Sequence, residues 1–456
     1  MKGEKSITTK NIILILLLGF FCQLAFEIEQ HTFTLYAESN IGRAEVVTLM
    51  ISLSALSVTA STFIFGVLGD RRGRHKWLIS AGLILLGVFT LLFGCANYIL
   101  KVDPLKTSTY LILVDIAMSF SGGIAFNAGV NPWTCDLSTQ KNRGTVSSIL
   151  TTTLFASSII LLVLQGTIVK NFGFSPIFIF SGVSTIILGI VCIFIFNDSA
   201  KTHKNIKYKS YTKQLLHSLS FLELFKNKAL TFVLISICLF QTAREVYSPY
   251  LTYYLWSYFP YYSGHAVNVE TASLIEGSTL FIGILLSILF VRILNNGKTY
   301  HIAVMAVFLS ILGLSLIATA KSYIGLFLAL VAISFGYILF KTTTLTWFKN
   351  LALHGEKGQL EGSKSIFYML IPMVLGSLIG QNVIRSIGFT KDVVVNGISK
   401  TVDIPTEEIF VVAAILTILT LIPIFIAKKY ETLELLSTNK SFEYKIEKKH
   451  AWLSFR

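Results

Sequence analysis

The stretch Gly66-Val-Leu-Gly-Asp70-Arg-Arg-Gly73-Arg74-His-Lys76-Trp-Leu78 lies between two long apolar runs and decides the fold. It brings three arginines, a lysine and one acid into a very short segment. The glycine at position 73 permits a tight turn. Short loops rich in lysine and arginine are retained on the cytoplasmic side of membrane proteins. The stretch therefore predicts a cytoplasmic hairpin between two membrane-spanning helices.

The rest of the chain is apolar enough to make this hairpin one of several. Of the 456 residues, 53% are hydrophobic and only 14% are charged, which is well below the charged share of soluble domains. An apolar run of about 20 residues is long enough, as a helix, to cross ~30 Å of hydrocarbon. Such runs lie near residues 11–36, 46–69, 77–99, 108–134, 145–169, 174–196, 229–256, 270–292, 300–319, 322–345, 364–388 and 406–427. We predict an all-α polytopic membrane protein with about twelve transmembrane helices.

The net charge of +14 raises the question of nucleic-acid binding, but the positions of the charges argue against it. If the N-terminus is inside, most lysines and arginines fall on inside segments. The outside loops hold Arg43, Lys101, Lys106, Lys170, Lys321, Arg385, Lys391 and Lys400. This bias is the positive-inside pattern of membrane proteins. We predict a multi-pass protein of the cell membrane with both termini in the cytoplasm, in contact with membrane lipids and without a nucleic-acid partner.

Sequence motifs for catalysis are missing from the chain. It has no Walker loop, no HExxH, no GxSxG and no paired cysteine and histidine motif. Its five cysteines have the spacing of neither a disulfide framework nor a metal site. We expect a monomer that is not an enzyme and that uses no cofactor or metal.

The stretch around Asp70 resembles the signature loop between helices 2 and 3 of major facilitator superfamily transporters, a pattern of the form G-x-L-a-D-r-x-G-r-k-x-x-l. It departs from this pattern only at Gly69 and His75. The resemblance implies two pseudo-symmetric six-helix bundles joined by a cytoplasmic latch, and the latch residues would be Gly66, Asp70, Arg71, Gly73, Arg74, Asp136 and Arg143. The alternative is a basic cluster that only sets topology. The acid within the cluster favours the latch.

The two halves of the chain resemble one another. A shift of 218 positions pairs Gln23 with Gln241 and Glu27 with Glu245, and a second shift, of 214, pairs other residues. Parallel six-helix repeats are the architecture of this superfamily. We predict an N-terminal bundle, a basic linker with an interfacial helix, a C-terminal bundle and a cytoplasmic tail, over residues 1–196, 197–228, 229–427 and 428–456.

Polar side chains within the apolar runs indicate where a cavity lies. An ionisable group at the bilayer centre costs roughly 3 kcal/mol, so it faces a cavity or a partner. In the superfamily, helices 1, 4, 7 and 10 line the central cavity. The corresponding runs carry our candidates for substrate binding and ion coupling, which are Gln23, Glu27, His31, Asp115, Asn127, Gln241, Arg244, Glu245 and Lys341.

We interpret Glu27 as the group that binds and releases a proton, with Arg244 or Lys341 as the substrate anchor or counter-charge. The alternative is a static ion pair, for example of Glu29 or Asp115 with Arg244. Glu29 lies about 200° around the helix from Glu27 and is expected to face elsewhere.

Three of these ionisable residues keep a second interpretation. Lys341 lies near the predicted inner end of helix 10 and can extend to the membrane surface. For His31, a hydrogen-bonded core role is favoured over a role in proton release. Glu276, in the eighth run, either faces the cavity or points outwards near the outer face.

Two further stretches narrow the resemblance. Residues from Asn127 to Gly144, and from Ser248 to Tyr254, resemble a poorly characterised prokaryotic branch of the superfamily that is distantly similar to sugar–cation symporters. The resemblance implies secondary transport of a small, sugar-like polar solute by alternating access, with a proton or cation as coupling ion. Two other functions stay open. One is export of amphipathic compounds or lipids by proton antiport, which the 35 phenylalanines favour, and the other is a non-transporting membrane sensor.

Overall fold

The computed structural model describes residues 9–41, 43–72, 75–96, 104–137, 143–196, 211–212, 225, 227–294, 299–351, 365–395 and 398–433. Within these ranges, twelve helices are long and apolar enough to cross a membrane, as predicted. We number them α1 to α12: Thr9–Ala37, Ala44–Gly69, Lys76–Gly94, Lys106–Thr134, Thr152–Phe172, Ser175–Ile195, Lys228–Ser263, Val269–Leu289, Thr299–Thr319, Tyr323–Phe348, Ile366–Ile387 and Glu408–Leu433.

The outer surface of these helices carries large apolar side chains. Phe194 is 79% exposed, Ile324 75% and Leu289 68%. In water, large exposed apolar side chains of this kind favour association, whereas hydrocarbon solvates them well. The helices therefore present lipid-facing surfaces, and the chain is a multi-pass membrane protein.

Several helices continue beyond their apolar spans. The helix that contains α2 runs over Ala44–Arg72, and the helix that contains α5 begins earlier, as Arg143–Phe172. The helix that contains α10 covers Tyr323–Leu351, several residues beyond the predicted run. Lys341 is therefore well inside its helix and not close to its end.

The helices are interrupted by turns of other helical types. π-helical turns occupy Ile28–Phe33 in α1, Gly123–Val130 in α4, Tyr254–Tyr258 in α7 and Ile366–Leu370 in α11. In α7, a 3₁₀ turn over Ser248–Tyr250 surrounds Pro249, which has no N–H to donate. π-turns often occur at functional sites because the extra residue rotates one side of the helix relative to the other.

A β-hairpin between α11 and α12 is a feature that we did not predict. Strands β1 (Phe389–Val395) and β2 (Ile398–Ile404) pair antiparallel, with Phe389 opposite Ile404. Val402 and Ile404 are buried against Leu35 of α1 and Tyr253 of α7. We call this side of the molecule the hairpin end, and the side where α1 begins and α12 ends the terminal end.

The hydrophobic core differs between these two ends. At the hairpin end, one buried cluster runs through both six-helix bundles, from Ala25 and Phe93 on one side to Tyr254 and Phe410 on the other. Towards the terminal end, the buried residues form two separate clusters. One is built by α1, α3, α4 and α6, and the other by α7, α9, α10 and α12. These are the first, third, fourth and sixth helices of each half, which is the pseudo-symmetry that the repeat implies.

A glycine allows the bundles to approach closely at the hairpin end. A Cβ atom added at Gly166 of α5 would lie 2.5 Å from the Cα atom of Glu270 of α8. Only a residue without a side chain permits this backbone contact. α5 and α8 belong to opposite bundles, so this crossing is part of the contact that joins them.

Candidate functional site

A cavity of about 100 Å³ lies between the two bundles. Residues of α1, α5, α7, α8 and α10 line it. The ionisable groups on its wall are Glu27, His31, Arg244, Glu276 and Lys341. The hydroxyl-bearing and apolar side chains on the wall are Ser158, Tyr247, Ser248, Thr279, Ser334, Tyr337, Leu154, Phe155, Leu162, Leu251, Leu280, Leu330 and Ile333. One cavity thus combines both signs of charge with hydroxyl groups and apolar patches.

His31 lies between two carboxylates. Its Nε2 atom is 3.5 Å from Oε2 of Glu27 on the same helix, and its Nδ1 atom is 3.6 Å from Oε1 of Glu276 on α8. All three side chains are at least four-fifths buried. The Thr252 hydroxyl donates a 2.6 Å hydrogen bond to the other oxygen of Glu276. The result is a polar chain that links α1 of one bundle to α7 and α8 of the other.

The two cations of the cavity gather around Tyr337 of α10. The guanidinium carbon of Arg244 is 4.4 Å from the centre of the Tyr337 ring, and Nζ of Lys341 is 5.5 Å from the same centre. Lys341 donates a 3.3 Å hydrogen bond to the Tyr337 hydroxyl, and its Nζ atom is 5.6 Å from the Tyr368 ring centre. Arg244 is 3.1 Å from Oε1 of Glu245. Cation–π contacts of this kind stabilise cations that are partly removed from water.

Further polar contacts between the bundles lie on the hairpin side of the cavity. Glu45 of α2 is 2.6 Å from Arg385 of α11, and Lys170 of α5 is 2.6 Å from Glu270 of α8. Hydrogen bonds join the same helices, and also α7. Thr48 of α2 contacts the Tyr250 hydroxyl of α7 and donates to the Ser377 carbonyl of α11, and Ser52 of α2 contacts the Ser377 hydroxyl. Thr167 of α5 donates to Glu270 of α8. Together with the shared core, they close the cavity towards the hairpin end.

Four of the predicted candidates, Glu27, His31, Arg244 and Lys341, line the cavity. Glu245 is not among the lining residues, and it is 5% exposed and paired with Arg244. Gln23 and Gln241 are not among the lining residues. The ion pair of Arg244 is therefore formed with its own neighbour in the chain, and not with Glu29 or Asp115.

Asp115 and Asn127 of α4 lie within the N-terminal bundle, away from the cavity wall. Asp115 is 1% exposed and accepts a 2.5 Å hydrogen bond from Ser54 of α2. Glu29 accepts a hydrogen bond from Ser119, which confirms that Glu29 faces away from Glu27. The Asn127 amide donates to Thr62 at 3.1 Å, and so ties α4 to α2.

The latch residues are described only in part. Gly73 and Arg74 lie outside the described residues, as do the side chains of Asp70, Asp136 and Arg143. The guanidinium of Arg71 lies 5.9 Å from the ring centre of Tyr211 in the linker.

The two glycines that precede Asp70 differ in how closely they are packed. A Cβ atom at Gly66 would meet nothing within 4 Å, whereas one at Gly69 would lie 3.0 Å from Leu78. Gly69, where the sequence departs from the signature pattern, is the tightly packed position.

Three residues of the site went unassigned or unnoticed in the sequence. Glu276 reaches His31 across the bundle interface, and no local pattern indicates such a contact. Tyr337 and Tyr368 surround Lys341. Tyr337 precedes Lys341 by four residues and therefore shares its helix face, a spacing that does signal the contact.

The family model of the Major Facilitator Superfamily matches residues 13–377. The chain belongs to the major facilitator superfamily. A search of curated proteins finds no match. Among solved structures, a point mutant of the nucleoside transporter NupG is similar, with a TM-score of 0.68 and 15% identity over 93% of this chain and 100% of that one.

Two further structures have the same superfamily fold. A bacterial homolog of the human lysosomal transporter Spinster, in an inward-facing and unoccupied conformation, gives a TM-score of 0.63 at 12% identity over 94% of this chain and 98% of that one. NupG itself gives 0.62 at 15% identity, over 92% and 98%. At these identities the likeness shows the fold, and it confirms the predicted two-bundle superfamily architecture.

Proposed function

We propose that this protein is a secondary active transporter that moves a small polar solute across the cell membrane by alternating access, coupled to a proton or cation. The observation that carries the proposal is the cavity between the bundles, with five ionisable side chains on its wall. Charges at this depth of a membrane protein are costly, and they are typical of substrate and ion pathways. Transport, and not catalysis, is the activity proposed.

The difference between the two ends supports alternating access. The bundles share one core at the hairpin end and have separate cores towards the terminal end. With both termini in the cytoplasm, as the charge bias predicts, this arrangement corresponds to an inward-facing state. Rocking the bundles about the cavity would open the hairpin end and bring the Asp70 latch together on the cytoplasmic side.

Glu27 is the proposed protonation site. Its carboxylate lies on the cavity wall, 3.5 Å from His31, so a proton on Glu27 removes the charge that holds the imidazole. The same imidazole contacts Glu276 of the other bundle. A change of protonation at Glu27 therefore alters the electrostatic interaction between His31 and Glu276 at the bundle interface. Coupling of ion binding to rocking requires such a link.

A sugar-like solute is the first substrate class to test. Hydroxyl groups of Ser158, Ser334 and Thr279 on the wall suit a solute with several hydroxyls. The second candidate function is export of amphipathic compounds by proton antiport. Phe155 and the leucines on the wall favour it, because they offer an apolar surface.

The test uses purified protein in liposomes with an imposed pH gradient. We expect the Glu27→Gln variant to exchange labelled solute between the two sides but to lose uphill accumulation, since exchange needs no net proton movement. Glu431→Gln, at the terminal end and outside the cavity, is the matched control, because Glu431 pairs with Lys428 of its own helix. Uphill accumulation by Glu27→Gln would refute the role of Glu27. Stabilisation only by amphiphiles would favour the exporter.

A further inference from the structure

Lys341 differs from the other charged residues of the cavity wall in that no described carboxylate forms an ion pair with it. Glu27 and Glu276 each contact His31, and Arg244 contacts Glu245. In the part of the chain that the structure describes, no carboxylate oxygen lies within 4.0 Å of the Lys341 ammonium. Its contacts include the hydroxyl and ring of Tyr337 and the side chain of Tyr368.

The charge of the Lys341 ammonium is only partly compensated in this position. It has three N–H donors, and the Tyr337 hydroxyl accepts one of them. Aromatic rings attract the cation but do not neutralise it. Removal of a cation from water without a counter-charge is strongly unfavourable, so an anion that enters the cavity gains free energy at this point.

A second cation faces the same place. Arg244 lies against the ring of Tyr337 that Lys341 also contacts, and its contact with Glu245 leaves further N–H donors of the guanidinium for a ligand. An oxyanion beside Tyr337 would therefore meet an ammonium and a planar guanidinium together. This is the donor set that recognises carboxylates and phosphates.

Both acids of the cavity wall contact the imidazole of His31 and not the ammonium of Lys341. Glu276 also accepts the hydrogen bond from Thr252. The charge of the wall is thus divided, with carboxylates around His31 and cations around Tyr337. A solute with an anionic group at one end and hydroxyls along its body matches this division.

We propose that the transported solute is an organic oxyanion whose carboxylate or phosphate group binds Lys341 and Arg244 beside Tyr337. This inference rests on the proposed transport function and names its substrate class. The hydroxyls on the cavity wall make an acidic sugar the best-fitting representative.

The test compares solutes that differ in one acidic group. Melting temperatures of the purified protein are measured with glucose, gluconate and glucose 6-phosphate, and with glycerol and glycerol 3-phosphate. A ligand of the folded state raises the melting temperature by mass action. We expect at least one acidic member to raise it and the neutral members to have no effect. Gluconate against the two phosphates tells which oxyanion binds.

Variants then assign the effect to Lys341. Removal of one charge-assisted hydrogen bond weakens binding roughly tenfold or more, so Lys341→Gln should lose the acidic ligand at the concentration that saturates the wild type. Lys341→Arg keeps the charge and should retain binding. Lys321→Gln is the matched control, since Lys321 also lies over a tyrosine ring, that of Tyr262, but outside the cavity.

Three outcomes would overturn the inference: no acidic probe stabilises the protein, a neutral probe does so equally well, or Lys341→Gln binds the acid as the wild type does. The flux assay separates this failure from failure of the proposed function. Uphill transport of a neutral solute would support the transport function and refute the anionic substrate. Binding of the acid without any flux would support the anion site and refute the transport function.

Discussion

The imidazole of His31 contacts Glu276 across the interface of the two bundles, with 3.6 Å between Nδ1 and Oε1. His31 is on the first helix of the N-terminal bundle and Glu276 is on the second helix of the C-terminal bundle. The contact is an ion pair only when the imidazole carries a proton, and Glu27 lies on its other side. We therefore predict that closure of the hairpin end depends on the charge of His31.

We predict that Glu276→Gln weakens the pH dependence of the stability of the state in which the hairpin end is closed. In the wild type, the protonated imidazole at pH 5.5 lies between two carboxylates, whereas in the variant it has only Glu27. The melting temperature should therefore rise more between pH 7.5 and pH 5.5 in the wild type than in the variant. Arg244 and Glu245 face the same region and are unchanged in this comparison. Equal pH dependence in both proteins would contradict a role for this contact.

The ion pairs at the hairpin end should control conformation more than stability. Both side chains of the pair Glu45–Arg385 are about half exposed, and pairs of this kind contribute about 0–1 kcal/mol. That is enough to change the ratio of open to closed states up to about fivefold. We expect Glu45→Arg to favour the open hairpin end, and the swap Glu45→Arg with Arg385→Glu to restore closure.

The measurement for these gate variants is the labelling rate of a cysteine at the cavity residue Thr279, in protein without its native cysteines. An impermeant thiol reagent is applied from the hairpin side. The rate should rise in the single variant and return to the parent value in the swap. A swap that labels as fast as the single variant would argue against the pair.

The Gly166 contact predicts a packing defect that acts on transport. A methyl group there would lie 2.5 Å from the backbone of Glu270, so Gly166→Ala should keep α5 and α8 apart. We expect solute exchange to fall roughly tenfold or more, because a cost of about 1.4 kcal/mol on closure already has that effect. Gly325→Ala is the control, since its nearest neighbour is the flexible Ser322 side chain at 3.2 Å. Full exchange by Gly166→Ala would refute the prediction.

Asp115 should prove structural and not coupled to transport. Its carboxylate accepts from Ser54 in a site that is 1% exposed, and an asparagine amide oxygen can accept the same hydrogen bond. We expect Asp115→Asn to keep uphill accumulation, and Asp115→Ala to lose about 1–3 kcal/mol of stability because the buried hydrogen bond between Ser54 and position 115 is lost. The liposome assay and thermal melts check both. Loss of accumulation in Asp115→Asn would move the proton site to α4.

Much of the fold was determined locally, and for that reason the sequence alone predicted it. Each spanning helix satisfies its own backbone hydrogen bonds and needs only an apolar run of sufficient length, so the run near 300–319 became the helix Thr299–Thr319. The signature stretch around Asp70 is likewise a local feature of the sequence, and its resemblance indicated the family. The hairpin at Phe389–Ile404 also has a local signal, a β-branched run before Asn396-Gly397 that is typical of a two-residue turn, and we overlooked it.

The sequence alone also determined which residues are candidates for the site, because ionisable groups in apolar runs are rare and costly. Only the tertiary structure decided which of them meet. Glu27 lines the cavity, whereas Glu29 points into the interior of the N-terminal bundle and contacts Ser119. Helix geometry predicts that the two side chains face different ways, but it does not say which of them faces the cavity.

That choice depends on how α1 is rotated in its bundle and on the π-turn that begins at Ile28. The contact of His31 with Glu276 joins residues 245 positions apart in the chain, and it is made between the two bundles. Spacing along a helix specifies which side chains share a face. The partner of that face is set by packing between bundles, and in a protein that moves its bundles it changes with the state.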